Sequence, residues 1–123
     1  MLEIGLKYEA KTTVGAGNTA SAMGSGDMDV FATPAMVALM EHAAMLAVAA
    51  ELPEGSTTVG ASMNTTHVRP SGPGAVVTAL AELVEAEGRR LTFRVVAFDG
   101  GVLIGEGTHV RYIVDRTKFL SKL

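Results

Sequence analysis

From Pro34 to Ala50 the chain reads PAMVALMEHAAMLAVAA, a run of Ala, Leu and Met without glycine. These residue types lose little on entering a helix, so the run predicts one. Apolar residues cover nearly the whole circumference and only Glu41 and His42 interrupt them, a pattern that predicts a helix enclosed by protein. Thr33 fits the N-cap and Pro34 the first helical position, where a missing amide proton costs nothing. After the helix the sequence turns to Val- and Thr-rich stretches separated by glycine. Thr57–Val68, Ala75–Glu85, Arg89–Phe98 and Val102–Val114 therefore predict strands. Glu87-Gly88 and Asp99-Gly100-Gly101 have hairpin chemistry, and Arg69-Pro70-Ser71-Gly72-Pro73-Gly74 predicts a stiffer loop. Such connections are too short for parallel crossovers, so the sheet is expected to be antiparallel. A further strand, Glu3–Val14, precedes the helix, and the Gly-, Ser- and Met-rich stretch Gly15–Asp29 between them is a candidate lid.

The order strand, lid, helix, four strands leaves few layered architectures, of which an α+β sheet curled around the helix is the simplest. At 123 residues the chain suits one domain spanning 1–123. A curled sheet keeps one face and two edges open, so at least a dimer is expected. Composition narrows the functional classes. Hydrophobic residues at 48% against 19% charged argue for a packed core over disorder. The absence of cysteine excludes disulfides, thiolate nucleophiles and sulfur-bound zinc. A formal net charge of -3 without a basic run argues against nucleic-acid binding. The helical run falls short of the roughly 20 apolar residues of a membrane span and carries Glu41 and His42 near its middle. MLEIGLKYEA lacks the build of a secretory signal, so a cytoplasmic location is expected. Ser121-Lys122-Leu123 spells a peroxisomal address, legible only in a eukaryotic host.

Three side chains stand out chemically. Glu41 lies between Leu39-Met40 and Ala43-Ala44, where an ionised carboxylate needs compensation; an arginine partner, an escape to the surface beside His42, or a catalytic role would each supply it. His67 ends the strand after the helix, and its ordinary pKa suits proton transfer near neutrality. Thr33 has a complete explanation as a cap. Eight helical residues separate Thr33 from Glu41 by about 12 Å, so the two cannot touch on a regular helix. A substrate spanning the gap, an irregular helix start or a second subunit would each resolve this. Other patterns are weaker. Gly15-x-Gly17-x-x-Ala20 lacks the βαβ setting of a dinucleotide loop. Asn64-Thr65-Thr66 is a sequon without a secretory route. His42, His67 and His109 lack zinc spacing, so no metal is expected, and there is no Gly-x-Ser-x-Gly elbow.

Taken together, Val30-Phe31-Ala32-Thr33-Pro34, Met36-Val37-Ala38-Leu39-Met40-Glu41, Thr66-His67, Glu85-x-Glu87-Gly88-Arg89-Arg90-Leu91 and Gly105-Glu106-Gly107-Thr108-His109-Val110-Arg111 resemble the fluoroacetyl-CoA thioesterase-like branch of the hotdog superfamily. The likeness runs from about Glu3 to Phe119. It implies hydrolysis of a small acyl-CoA to free acid and coenzyme A, with no cofactor beyond the coenzyme A of the substrate; the alternative is a hotdog protein that binds an acyl-CoA or small acid without catalysis, against which the intact Thr33, Glu41 and His67 set argues. It implies a catalytic set of Thr33, Glu41 and His67, a Gly60 amide near the thioester oxygen, and Arg111 and Phe31 beside the substrate. It also implies a homodimer, or a pair of such dimers, with sites at the subunit interface. The lid Ala22-Met23-Gly24-Ser25-Gly26-Asp27 is smaller than the family pattern, and His42 replaces a bulky aromatic. Fluorine selectivity is therefore not part of what the resemblance implies.

Overall fold

The computed structural model describes residues 2–123. Five strands, β1 (Lys7–Thr13), β2 (Ser56–Thr65), β3 (Val76–Glu87), β4 (Arg90–Asp99) and β5 (Val102–Asp115), form one antiparallel sheet in the order β1-β3-β4-β5-β2. The described residues also form three helices: α1 (Ala20–Met23), α2 (Thr33–Ala49) and α3 (Arg116–Ser121). Both hairpins turn through two residues, Gly88-Arg89 and Gly100-Gly101, with Gly88 and Gly100 at φ 60° and 62°. Only glycine takes that conformation without strain.

Three register shifts insert one extra residue each: Ala61 in β2, Val84 in β3 and Ile104 in β5. Such bulges sharpen local twist and bend a strand, and here they curl the sheet around α2. The helix buries Met36, Leu39, Met40, Ala43, Ala44, Ala47 and Val48, steps of three and four residues that form one stripe. Facing it are Val77, Ala79, Ala81 and Leu83 of β3 and Leu91, Phe93, Val95 and Ala97 of β4, alternating along their strands and fully buried. Alanines on both sides let the helix lie close to the sheet, while Met36, Met40, Leu83 and Phe93 fill the remaining space. Each such large side chain contributes on the order of 1.5–3 kcal/mol by leaving water.

Four expectations change. The sheet covers only one side of α2: Ala38 and His42 are exposed, and Val37, Glu41, Met45 and Leu46 are half-buried, so the chain by itself does not enclose the helix. The cap is Ala32, not Thr33, because Ala32 is held extended by its amide bonding Asn18 O at 2.9 Å and by the adjoining Thr19–Phe31 bridge. Pro34 accordingly takes the second helical position. β1 starts at Lys7 instead of Glu3 because Gly5, at φ 103°, turns the chain before it. The lid stretch holds the one-turn α1, capped by Thr19 Oγ1 and ended by Gly24 in the left-handed region. Among the described residues no helix is long and apolar enough to cross a membrane.

Candidate active site

The start of α2 meets the end of β2 at Thr33 and His67. β2 proper ends at Thr65, but its backbone stays bonded to β5 through Thr66 N to Glu106 O at 3.0 Å and Val68 N to Ile104 O at 2.7 Å. This carries His67 past the strand end to the helix, where Thr33 Oγ1 and His67 Nδ1 lie 2.7 Å apart. Because Ala32 does the capping backbone's work, the Thr33 hydroxyl is free for the imidazole. Phe31, 1% exposed, sets its ring edge-on to His67 at 6.4 Å and 77°. Its own amide bonds Ser71 O at 2.8 Å, so the proline-glycine loop fixes it from behind. His67 Nε2 is buried and has no hydrogen-bond partner among the described residues. Burial pushes the His67 pKa below 6.5, outweighing the raising effect of the Arg69 backbone. A cleft of about 280 Å³ opens here, lined by Val30, Phe31, Thr33, His67, Arg69 and Ser25 of the lid, among others.

Two turns along α2, Glu41 points at β2 and β5. Its Oε2 lies 3.5 Å from Arg111 Nη1, and a Cβ on Gly60 would come within 2.5 Å of that same oxygen. Glycine at 60 is thus the condition for the carboxylate to reach the strand. The Glu41 side chain is 42% exposed while Arg111 is 6% exposed, so the pair is buried on the arginine side and open on the carboxylate side. Of the compensations anticipated from sequence, an arginine partner and an outlet to solvent are both realised.

Arg111 is held from several directions. Its Nε donates to Thr58 Oγ1 at 2.8 Å and its Nη2 to Thr58 O at 2.9 Å. Its Nη1 lies 3.2 Å from Nε2 of His109, whose Nδ1 is 2.7 Å from Ser62 O. A carbonyl oxygen only accepts, so Nδ1 carries the proton and Nε2 accepts from the guanidinium, and this second bond requires a neutral ring. His109 is 1% exposed, and burial first, then the Arg111 charge, lowers its pKa below 6.5 against the raising effects of Ser62 and Glu41. Burial likewise lowers the Arg111 pKa, with Glu41 opposing. Sequence reasoning dismissed His109 as a metal ligand and quoted it within a family motif, but gave it no role of its own. The available signal was its spacing of two from Arg111, which on a strand puts both on one face.

The structure therefore joins Thr33, His67 and Phe31 in one cluster and Glu41, Gly60 and Arg111 in another. No hydrogen bond links the two among the described residues, and Glu41 does not line the cleft at Thr33 and His67. α2 is regular from Thr33 onward, which removes an irregular helix start as an explanation for their separation.

Similarity to solved and curated proteins identifies the class. A thioesterase-superfamily protein of Thermus thermophilus superposes with TM-score 0.90 at 28% identity, covering 99% of this chain and 90% of that one. A variant of a fluoroacetyl-CoA-specific thioesterase crystallised with fluoroacetate and CoA gives 0.89 at 36% identity, covering 96% and 99%. The curled antiparallel sheet on one helix is the hotdog fold, and the protein is a thioester hydrolase built on it. More narrowly, a fluoroacetyl-CoA thioesterase of Streptantibioticus cattleyicolor is 45% identical over 95 residues, 77% of this chain and 68% of that protein. The family model described as fluoroacetyl-CoA-specific thioesterase matches residues 14–117. The chain belongs to that family.

Proposed function

We propose that this chain hydrolyses a short acyl-CoA thioester in the cytoplasm, at sites completed between two copies of itself. The observation that carries the reading is the Glu41 carboxylate, backed by Arg111 at 3.5 Å yet 42% exposed, as a group meant to meet something outside the chain would be. The thioester carbonyl lies against the Gly60 amide, whose fixed dipole stabilises the oxyanion. Glu41 attacks the carbonyl carbon, giving an anhydride that water resolves, or takes the proton of a water that attacks in its place. The carbon–sulfur bond breaks, the neutral His67 ring, with Nδ1 accepting from Thr33, offers its Nε2–H as a hydrogen bond to the departing thiolate, and the proton the thiolate finally takes comes from the water consumed. The roughly 12 Å that one regular helix sets between Thr33 and Glu41 supports a site drawing on two subunits, in a homodimer or a pair of dimers. The partly uncovered apolar face of α2 supports the same arrangement. The small cleft at Thr33 and His67 favours a short acyl group.

Glu41→Gln tests the reading. With a panel of short acyl-CoAs and a thiol reagent, turnover should fall by at least about 100-fold while the thermal melt stays where it was. Undiminished thiol release from that variant would overturn the proposal.

A further inference from the structure

We propose that His109 is a positioning residue of this site, its neutral ring steering the Arg111 guanidinium onto the Glu41 carboxylate. The inference rests on the reading of Glu41 as the working carboxylate and extends it to a residue that touches no substrate. The guanidinium is anchored along one edge by Thr58, through Nε and Nη2, and these two bonds leave the hydrogens of Nη1 to be satisfied elsewhere. Among the described residues two partners meet Nη1: Glu41 Oε2 at 3.5 Å and His109 Nε2 at 3.2 Å. Glu41 is half exposed and comes from a different element, so it follows Nη1 more than it fixes it. His109 is fully enclosed and tied to the same β2 strand that carries Gly60.

The bulge at Ala61 makes this possible. By inserting one residue between Gly60 and Ser62, it brings the Ser62 carbonyl to His109 Nδ1 while Gly60 stays opposite Arg111. That carbonyl fixes the tautomer, and the tautomer presents a lone pair to Nη1. Phe93, paired with His109 across β4 and with ring centroids 6.3 Å apart, walls the imidazole against rotation. A chain of contacts thus runs from a backbone carbonyl through the imidazole and the guanidinium to the carboxylate.

A simple strut between β2 and β5 would use only the Ser62 bond; a positioning residue needs the Arg111 bond. Two substitutions separate the bonds. His109→Asn places its amide near the former Nδ1 and can hold Ser62 O, but is too short for Arg111. His109→Gln places its amide oxygen near the former Nε2 and can accept from Arg111, but leaves Ser62 O. The inference expects His109→Asn to keep most of its melting temperature and lose about tenfold or more in kcat with KM little changed. It expects His109→Gln to melt lower yet keep kcat within about threefold of the unaltered protein. Activities that follow melting temperature across the pair, both variants fully active, or both equally impaired would overturn it. Should His109→Gln not fold, a stable His109→Asn with undiminished kcat would overturn it by itself, and a stable one with kcat lost would support it. Glu41→Gln is the control: if it stays active, the reading of Glu41 falls and this inference with it, whereas an inactive control beside the wrong order of variants sinks His109 alone.

Discussion

Thr33 begins α2 without capping it, and that small displacement decides what its hydroxyl does. With the cap position at Ala32, Thr33 Oγ1 bonds His67 and no other group among the described residues. Thr33→Val should therefore cost less than about 0.5 kcal/mol in stability, as at an exposed site without capping duty, and lower kcat by about tenfold or more. Thr33→Ser should restore most of the rate. At Gly60 the intruding methyl would meet the far end of a flexible side chain, so Gly60→Ala should fold but drive Glu41 away from Arg111. A displacement of that kind costs up to about 100-fold in turnover, measurable by the same thiol-release assay. The buried imidazole of His109 and the half-buried one of His67 carry a pH signature. Both His67 and His109 have folded-state pKa values lowered from 6.5, so the unfolded chain binds protons that the native one does not. Their contribution is intact above 6.5 and is lost as pH falls below it. Melting temperature should drop between about pH 7 and pH 5, and less steeply in His109→Gln, where one of the two groups is gone. Glu41 and His67 were legible as candidates because an acid in an apolar helix and an imidazole at a strand end are anomalies in their own segments. The contact between His109 and Arg111 was not, since its tautomer is set by a carbonyl on a strand some 47 residues away in sequence.

Among the elements, β5 does the most to place the chemistry, and it does so by omission. Gly107 lets the Asn64–Thr65 backbone lie against it so closely that a Cβ would overlap the Asn64 carbonyl oxygen and stand 2.6 Å from Thr65 Cα. Neither atom can yield without moving β2, on whose tail His67 rides. Gly107→Ala should cost about 2 kcal/mol in denaturant unfolding and reduce activity further than the loss of folded protein explains. Gly101→Ala, with nothing within 4 Å of the added carbon, should shift stability by less than about 0.5 kcal/mol. The four strands after the helix and their two hairpins were readable from alternation and glycine placement, because each strand faces one core. α1 and α3 were not, since four and six residues are too few for a helical period to register against noise. The cap was misplaced because Thr33 has the better side chain, while the decision came from Asn18 and the Thr19–Phe31 bridge, partners that local propensity does not see.

For the molecule as a whole, the sequence's all-round apolar helix and the structure's one-sided burial make sense together once a second copy is supplied. The composition of α2 predicted an enclosed element, whereas the chain covers only one side of it; in the dimer proposed above, a second copy would cover the rest. If sites draw Glu41 from one subunit and Thr33 and His67 from the other, two inactive proteins should complement each other. Glu41→Gln and His67→Ala, mixed in equal amounts and allowed to exchange subunits, should regain about a quarter of the unaltered activity, because half the dimers are mixed and each has one intact site. Recovery of nothing, with mixed dimers demonstrated by mass spectrometry, would place each whole site within one chain. The open stripe along α2 then has a bearing on how the protein behaves at different abundances. Below the dissociation constant of the pair, lone folded chains would bind little and turn over nothing, so activity per milligram should decline on dilution. Cellular output would scale with the square of protein level in that regime, giving a threshold that needs no separate regulator.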